Sequence, residues 1–100
     1  MGFEYKILVD LTAQQSSELQ CLILEHPHFC RKPYAGNDFI EFRHPENNNP
    51  KWMPNLNLLF ENDGIYICNN SITPIWNDLQ MIRSYLENHD LTYRIFDYSD

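Results

Sequence analysis

The clearest pattern along the chain is a pair of apolar runs on either side of a turn signal, within residues 55–69. The segment Asn62-Asp63-Gly64 between the runs is typical of a tight turn that joins two antiparallel strands. Apolar side chains fall at alternate positions of both runs, at Leu56, Leu58, Phe60, Ile65 and Ile67. The pattern predicts a β-hairpin, which we expect to form the centre of a sheet.

Alternation of apolar and polar residues predicts three further strands, in residues 3–10, 38–44 and 92–98. The first of them has Phe3, Tyr5, Ile7 and Val9 on one side. Its other side is mixed, with Glu4, Lys6, Leu8 and Asp10. One apolar face and one mixed face indicate a sheet that is covered on a single side.

Two segments repeat apolar residues with the period of a helix. The first begins with Thr12 and Gln15, which match a capping box, and it is expected to span residues 13–25 because Pro27 cannot extend it. The second is expected to span residues 74–88, with a cap in residues 71–73 and Pro74 in the first turn. The apolar positions are Leu19, Leu22 and Ile23 in the first helix and Ile75, Leu79, Ile82 and Leu86 in the second.

The predicted order of elements is β-α-β-β-β-α-β, with irregular segments at residues 26–37 and 45–54, where prolines are frequent. Two β-α-β arms around a hairpin place both helices on one face of a mostly antiparallel sheet. We therefore predict an α+β fold, a ferredoxin-like two-layer α/β sandwich with one added strand. A chain of 100 residues suits a single domain, residues 1–100.

Charge changes the expected partners. Fourteen acidic residues against seven basic ones give a formal charge of −7. This excess disfavours nucleic acid and anionic membranes, which reward clustered lysine and arginine, and it favours a basic protein. The chain opens directly into a strand pattern and contains no apolar run near the roughly 18 residues of a membrane span, so we expect a cytoplasmic protein.

Candidate chemistry is weak throughout the chain. The segment His26-Pro27-His28-Phe29-Cys30, with His44, contains zinc-ligand residue types without a zinc-site spacing. Cys30 lies beside two basic residues that would lower the pKa of a thiol, and the two remaining cysteines, Cys21 and Cys68, resemble reduced structural thiols. Glycine-rich phosphate loops are absent from the sequence. We expect neither a metal nor a cofactor, and we leave catalytic activity open with the balance against it.

Two stretches are candidates for a contact surface. Trp52 and Met53 lie in a segment bounded by prolines, and tryptophan is enriched at the centres of protein interfaces. The C-terminal half is acidic, and Asp97 and Asp100 are its candidate partner-binding residues. The alternatives are that Trp52 and Met53 cap the core and that the acids form an ordinary solvated surface.

The hypothesis that we favour is a small acidic protein-binding module, an inhibitor or immunity-type protein that docks a basic protein partner. A second hypothesis is a small-molecule-binding or enzymatic α/β domain that uses the loops 26–37 and 45–54. A third is a subunit or structural module. The sequence does not determine the oligomeric state.

Overall fold

In the described part of the chain, six strands form one antiparallel sheet, and two helices accompany it. A computed structural model describes residues 3–26, 29–31, 40–47, 51–71 and 74–98 of the chain. In chain order the elements are β1 (Phe3–Val9), α1 (Ala13–Leu24), β2 (Phe29–Arg31), β3 (Ile40–Phe42), β4 (Leu56–Glu61), β5 (Gly64–Asn69), α2 (Trp76–Asn88) and β6 (Tyr93–Asp97). The strand order across the sheet is β2-β3-β4-β5-β1-β6.

The core lies between one face of the sheet and both helices. The register aligns Phe60, Ile65 and Ile7 across β4, β5 and β1, and the next row aligns Leu58 with Ile67. Side chains from these rows and from both helices form one buried cluster, to which the helices contribute Leu19, Ile23, Leu79, Ile82 and Leu86. The alternate positions of the strands, Lys6 and Tyr66 among them, lie on the opposite face, which we call the open face.

The predicted α+β class, the two helices and the central hairpin are confirmed. The ferredoxin-like order is not confirmed, because two strands, β2 and β3, extend the sheet beyond β4. The prediction of an irregular segment at residues 26–37 is wrong for Phe29–Arg31, which pairs with β3. This strand has three residues and a register shift, so it leaves no alternating pattern to detect.

The two helices differ in how well the sequence predicts their first turn. In α1 the capping box is present, because Thr12 Oγ1 accepts from the Gln15 N–H and Gln15 Oε1 accepts from the Thr12 N–H, each at 3.0 Å. In α2 the helix begins at Trp76 rather than Pro74, and its N-cap is Ile75, whose apolar side chain makes no capping bond. Of the predicted cap at residues 71–73, residues 72 and 73 lie outside the described residues, and the backbone N–H of Ser71 donates to Asn69 Oδ1 at 3.0 Å.

The turn between β4 and β5 requires glycine. Gly64 has a φ of +155°, and a Cβ atom built there would lie 1.9 Å from the carbonyl oxygen of Ile7. The Val9 N–H also donates to the carbonyl oxygen of Asp63 at 3.1 Å. The hairpin turn and β1 therefore come into backbone contact that any larger residue would prevent.

A buried lysine on the open face ties the same turn to β1. The Lys6 ammonium donates to Asp63 Oδ1 at 2.6 Å and also to the Glu61 carboxylate. Burial lowers the pKa of Lys6, but the hydrogen bonds and charges of Asp63 and Glu61 outweigh it and raise that pKa above its ordinary value. The hydrogen bond from Lys6 lowers the pKa of the Asp63 carboxyl.

These pKa shifts predict how the stability of the fold depends on pH. Because the pKa of Asp63 is lower in the folded chain, its charge stabilises the fold above the ordinary carboxyl pKa, and this contribution is lost as the pH falls through the folded-state value. The raised pKa of Lys6 gives a contribution that is lost as the pH rises through its folded-state value. Asp63→Asn should therefore lower the urea midpoint near neutral pH, with a difference from wild type that shrinks in acid.

Urea titrations of both proteins between neutral and acid pH measure this difference. The matched control is the same substitution in a Lys6→Met background, where no ammonium remains and Asp63→Asn should have little effect at any pH. A difference that stays constant down to acid pH would contradict the role assigned to Lys6.

Candidate protein-binding site

Trp52 and Met53 are the most exposed large apolar side chains of the segment that joins β3 to β4. Their exposed fractions are 56% and 60%. Both belong to the Trp52 loop, which we define as residues 51–55. Side chains this exposed do not cap the core.

The backbone of the Trp52 loop is held by hydrogen bonds at four consecutive carbonyl groups. The Arg43 guanidinium donates to the Trp52 carbonyl at 2.8 Å, and the Asn47 amide donates to the Met53 carbonyl at 2.9 Å. Asn70 supplies the remaining two, from its side chain to the Pro54 carbonyl at 3.0 Å and from its backbone N–H to the Asn55 carbonyl at 2.9 Å. A loop with every one of these acceptors engaged has few alternative conformations.

The donors are themselves positioned by one another. Arg43 Nη1 donates to Asn47 Oδ1 at 3.3 Å, and the Asn47 amide donates to Asn55 Oδ1 at 3.0 Å. The same Asn55 oxygen accepts from the backbone N–H of His44 at 2.9 Å. The mostly buried Arg43 guanidinium lies 3.6 Å from the Glu41 carboxylate, which supplies an opposite charge. The segment that follows β3 therefore fixes the first half of the Trp52 loop, and Asn70 fixes the second half.

The predicted acidic residues do not surround Trp52. Asp97 is exposed at the end of β6, and β6 is three strands from β4, a separation of roughly 14 Å at normal strand spacing. Asp100 lies outside the described residues. The exposed Glu46 is closer along the chain, since it precedes Asn47, whose side chain binds the loop.

The candidate metal and thiol residues give no site in the described part of the chain. Pro27 and His28 lie outside it, as do residues 32–37. The ring of His26 instead lies edge-on to the ring of Phe42, with centroids 5.1 Å apart. No group of three or more metal-ligating side chains occurs among the described residues. Burial, and then the charge of Glu4, raise the pKa of the Cys68 thiol, which makes it a weaker nucleophile.

An open groove of about 520 Å³ lies at the other end of the sheet. Its lining includes Leu8, Asp10, Asn62, Asp63, Tyr93 and Arg94. Among the described residues, none that lines the groove belongs to the loops 26–37 or 45–54, which the small-molecule hypothesis would use. The groove therefore gives that hypothesis no support in the form in which the sequence suggested it.

The sequence pattern indicates Trp52 and Met53 as candidate contact residues, but it does not indicate Arg43, Asn47 and Asn70, which hold the loop backbone in place. An asparagine-rich segment is typical of an irregular loop, and its composition does not say which amides will bind backbone carbonyls. The one sequence feature that could have indicated these bonds is the position of Arg43, just after the end of a short strand and shortly before several asparagines.

The comparisons with known proteins add no information about function. No protein-family model, curated protein or solved structure matches the chain. Within the described ranges no helix is long and apolar enough to cross a membrane.

The two tryptophans of the chain allow a matched test of the site. Trp52 is exposed, whereas Trp76 is partly buried against the core and stacks with Arg83, whose guanidinium carbon is 5.6 Å from its ring centroid. Trp52→Ala should cost less than about 1 kcal/mol of unfolding free energy, as surface substitutions do. Trp76→Ala should cost about 2 kcal/mol or more, because it removes buried contacts.

Urea denaturation of the two variants, followed by circular dichroism, measures both losses. An equal or larger loss for Trp52→Ala would show that this side chain supports the core after all, and the surface would lose its apolar centre.

Proposed function

We propose that the protein is a small acidic protein-binding module, of the inhibitor or immunity type, that docks a basic protein partner through the Trp52 loop. The observation that carries the proposal is the exposure of Trp52 and Met53 on a loop with four engaged backbone carbonyls. Exposed apolar side chains on a fixed backbone are what a binding surface requires.

Fixing the loop before binding has an energetic consequence. Association costs free energy for every segment that must be ordered, and a loop already held by Arg43, Asn47 and Asn70 avoids most of that cost. Tryptophan then contributes a large apolar area with little rotamer entropy to lose, which is why it is common at interface centres. Met53 adds an adaptable apolar neighbour that fits irregular partner surfaces.

The charge of −7 favours a partner of opposite sign. We propose that the exposed Glu46, which precedes Asn47 and lies 3.8 Å from the ring nitrogen of His44, pairs with a basic residue at the rim of the interface. Asp97 is farther from Trp52 than the screening length of about 8 Å at physiological salt, so its contribution is long-range steering that high salt removes. Asp100 follows it in the chain and is proposed to act in the same way.

We also propose that the fold is a ferredoxin-like unit with an insertion. The order β4-β5-β1-β6, together with helices that contact each other over one face, supports this assignment. The inserted segment is then β2, β3 and the Trp52 loop, which follows α1 and precedes β4. On this view the proposed binding surface belongs to the insertion.

Affinity capture from the source cell tests the function. The wild-type protein should retain a basic protein that elutes as the salt concentration rises, and Trp52→Ala should lose it. For the purified pair, Trp52→Ala should weaken binding by about 2 kcal/mol or more, roughly thirtyfold. Glu46→Lys should slow association, with an effect that diminishes at high salt.

The matched control is Leu22→Ala, which removes an exposed apolar side chain from α1 without touching the Trp52 loop. Equal retention of the partner by the wild type, Trp52→Ala and Leu22→Ala would reject the loop as the binding surface. Retention of an acidic partner would reject the electrostatic part of the proposal.

A further inference from the structure

The two edges of the sheet differ in their protection against further strand pairing. Strand β2 has three residues and a register shift in its pairing with β3, and Lys32 and Pro33 follow it in the sequence. Short length, irregularity, lysine and proline are the features that keep an edge from pairing with another strand. Strand β6 has five residues in continuous register with β1 and contains neither lysine nor proline.

Hydrogen bonds identify which backbone groups of β6 point away from the sheet. The Tyr98 N–H donates to the Glu4 carbonyl at 2.8 Å, and on the other side of β1 the Val9 N–H donates to the Asp63 carbonyl. The backbone N–H and C=O groups of even-numbered residues in β1 therefore form hydrogen bonds with β6, and those of odd-numbered residues form hydrogen bonds with β5. In β6 the groups of Arg94 and Phe96 face β1, and those of Tyr93 and Ile95 face outward.

Apolar side chains are exposed on both faces of this edge. Ile95 lies on the helix face opposite the fully buried Ile7, yet 42% of it is exposed because the helix layer does not cover the edge. Phe96 lies on the open face and is 38% exposed. An edge with outward backbone groups and apolar side chains on both faces fits another β-strand.

We propose that β6 pairs antiparallel with β6 of a second copy of this chain, around a two-fold axis at Ile95. Because the two-fold axis is perpendicular to the sheet, the helix faces of both copies lie on the same side of the combined sheet. Residues that lie opposite each other across the axis must therefore belong to the same face. In this register Ile95 lies opposite Ile95 of the second copy, and Arg94 lies opposite Phe96 of the second copy. The result is one continuous sheet of twelve strands, twice the six of each copy.

The charges of β6 favour this register and a second copy as the occupant. Residues 93–98 carry one arginine and one aspartate, so the edge has no net charge in a chain of −7. A two-fold axis at Arg94 or at Asp97 would place like charges opposite each other. An axis at Phe96 would place Ile95 opposite the Asp97 carboxylate of the second copy. With the axis at Ile95, Arg94 meets a phenylalanine ring, as it already does within the chain, where its guanidinium carbon is 5.6 Å from the Phe96 ring centroid.

Sedimentation of a dilution series tests the proposal with two matched lysine substitutions. Ile95→Lys places a charge at the two-fold axis, whereas Leu22→Lys changes a side chain of nearly equal exposure, 40%, on α1. The wild type and Leu22→Lys should be dimers that dissociate on dilution, and Ile95→Lys should be a monomer throughout. A wild type that stays monomeric at every concentration, or a dimer that persists in Ile95→Lys, overturns the proposal.

Amide hydrogen exchange on the wild type gives a readout that does not depend on how a variant folds. The N–H groups of Tyr93 and Ile95 should exchange more slowly at high concentration than at low concentration. Those of Arg94 and Phe96 should be protected at both concentrations, because they bond to β1. Concentration-independent exchange of Tyr93 and Ile95 in a sample that dimerises would place the interface elsewhere and overturn the proposal.

Discussion

The antiparallel pairing of β1 with β5 is the constraint on which the rest of the structure depends. These strands lie some sixty residues apart in sequence, and they meet with Ile7 opposite Ile65, both fully buried. The approach is possible because Gly64 has no Cβ to meet the Ile7 carbonyl oxygen, and it is held by the bonds of Lys6 to Glu61 and Asp63. Once β1 is placed, β6 has a strand to pair with and both helices have a common face to cover.

The pairing of β1 with β5 is connected to the proposed binding surface through the hairpin of β4 and β5. Asn55 and Asn70 flank the far ends of these two strands, and the Asn70 N–H bonds to the Asn55 carbonyl. One end of the Trp52 loop is therefore fixed by the central hairpin, while Arg43 and Asn47, which follow β3, fix the other end. The loop is irregular in backbone shape, but its position follows from the ordered sheet.

Most of the strands and helices could be predicted from the sequence, because the spacing of apolar residues, alternate in strands and with the helical period in helices, indicates which side chains are buried. The capping box at Thr12 and the turn at Asn62-Asp63-Gly64 could also be predicted, since each has a local chemical signature. Strand β2 could not, because three residues are too few to show a period. Nor could the sheet order or the hydrogen bonds of Arg43, Asn47 and Asn70, because they join residues whose proximity is set only by the folded sheet. Trp52 could be named as a candidate, but its exposure depends on those long-range bonds.

Backbone ¹⁵N relaxation of the isolated protein measures whether the Trp52 loop is held in one conformation before the proposed partner binds. The order parameters of Trp52, Met53 and Asn55 should be close to those of β4 and β5, about 0.85. In Arg43→Met, which removes the side-chain donor to the Trp52 carbonyl, the values for Trp52 and Met53 should fall while those of the strands stay the same. Order parameters below about 0.6 for the loop in the wild-type protein would show that the loop is flexible and that its hydrogen bonds do not fix it.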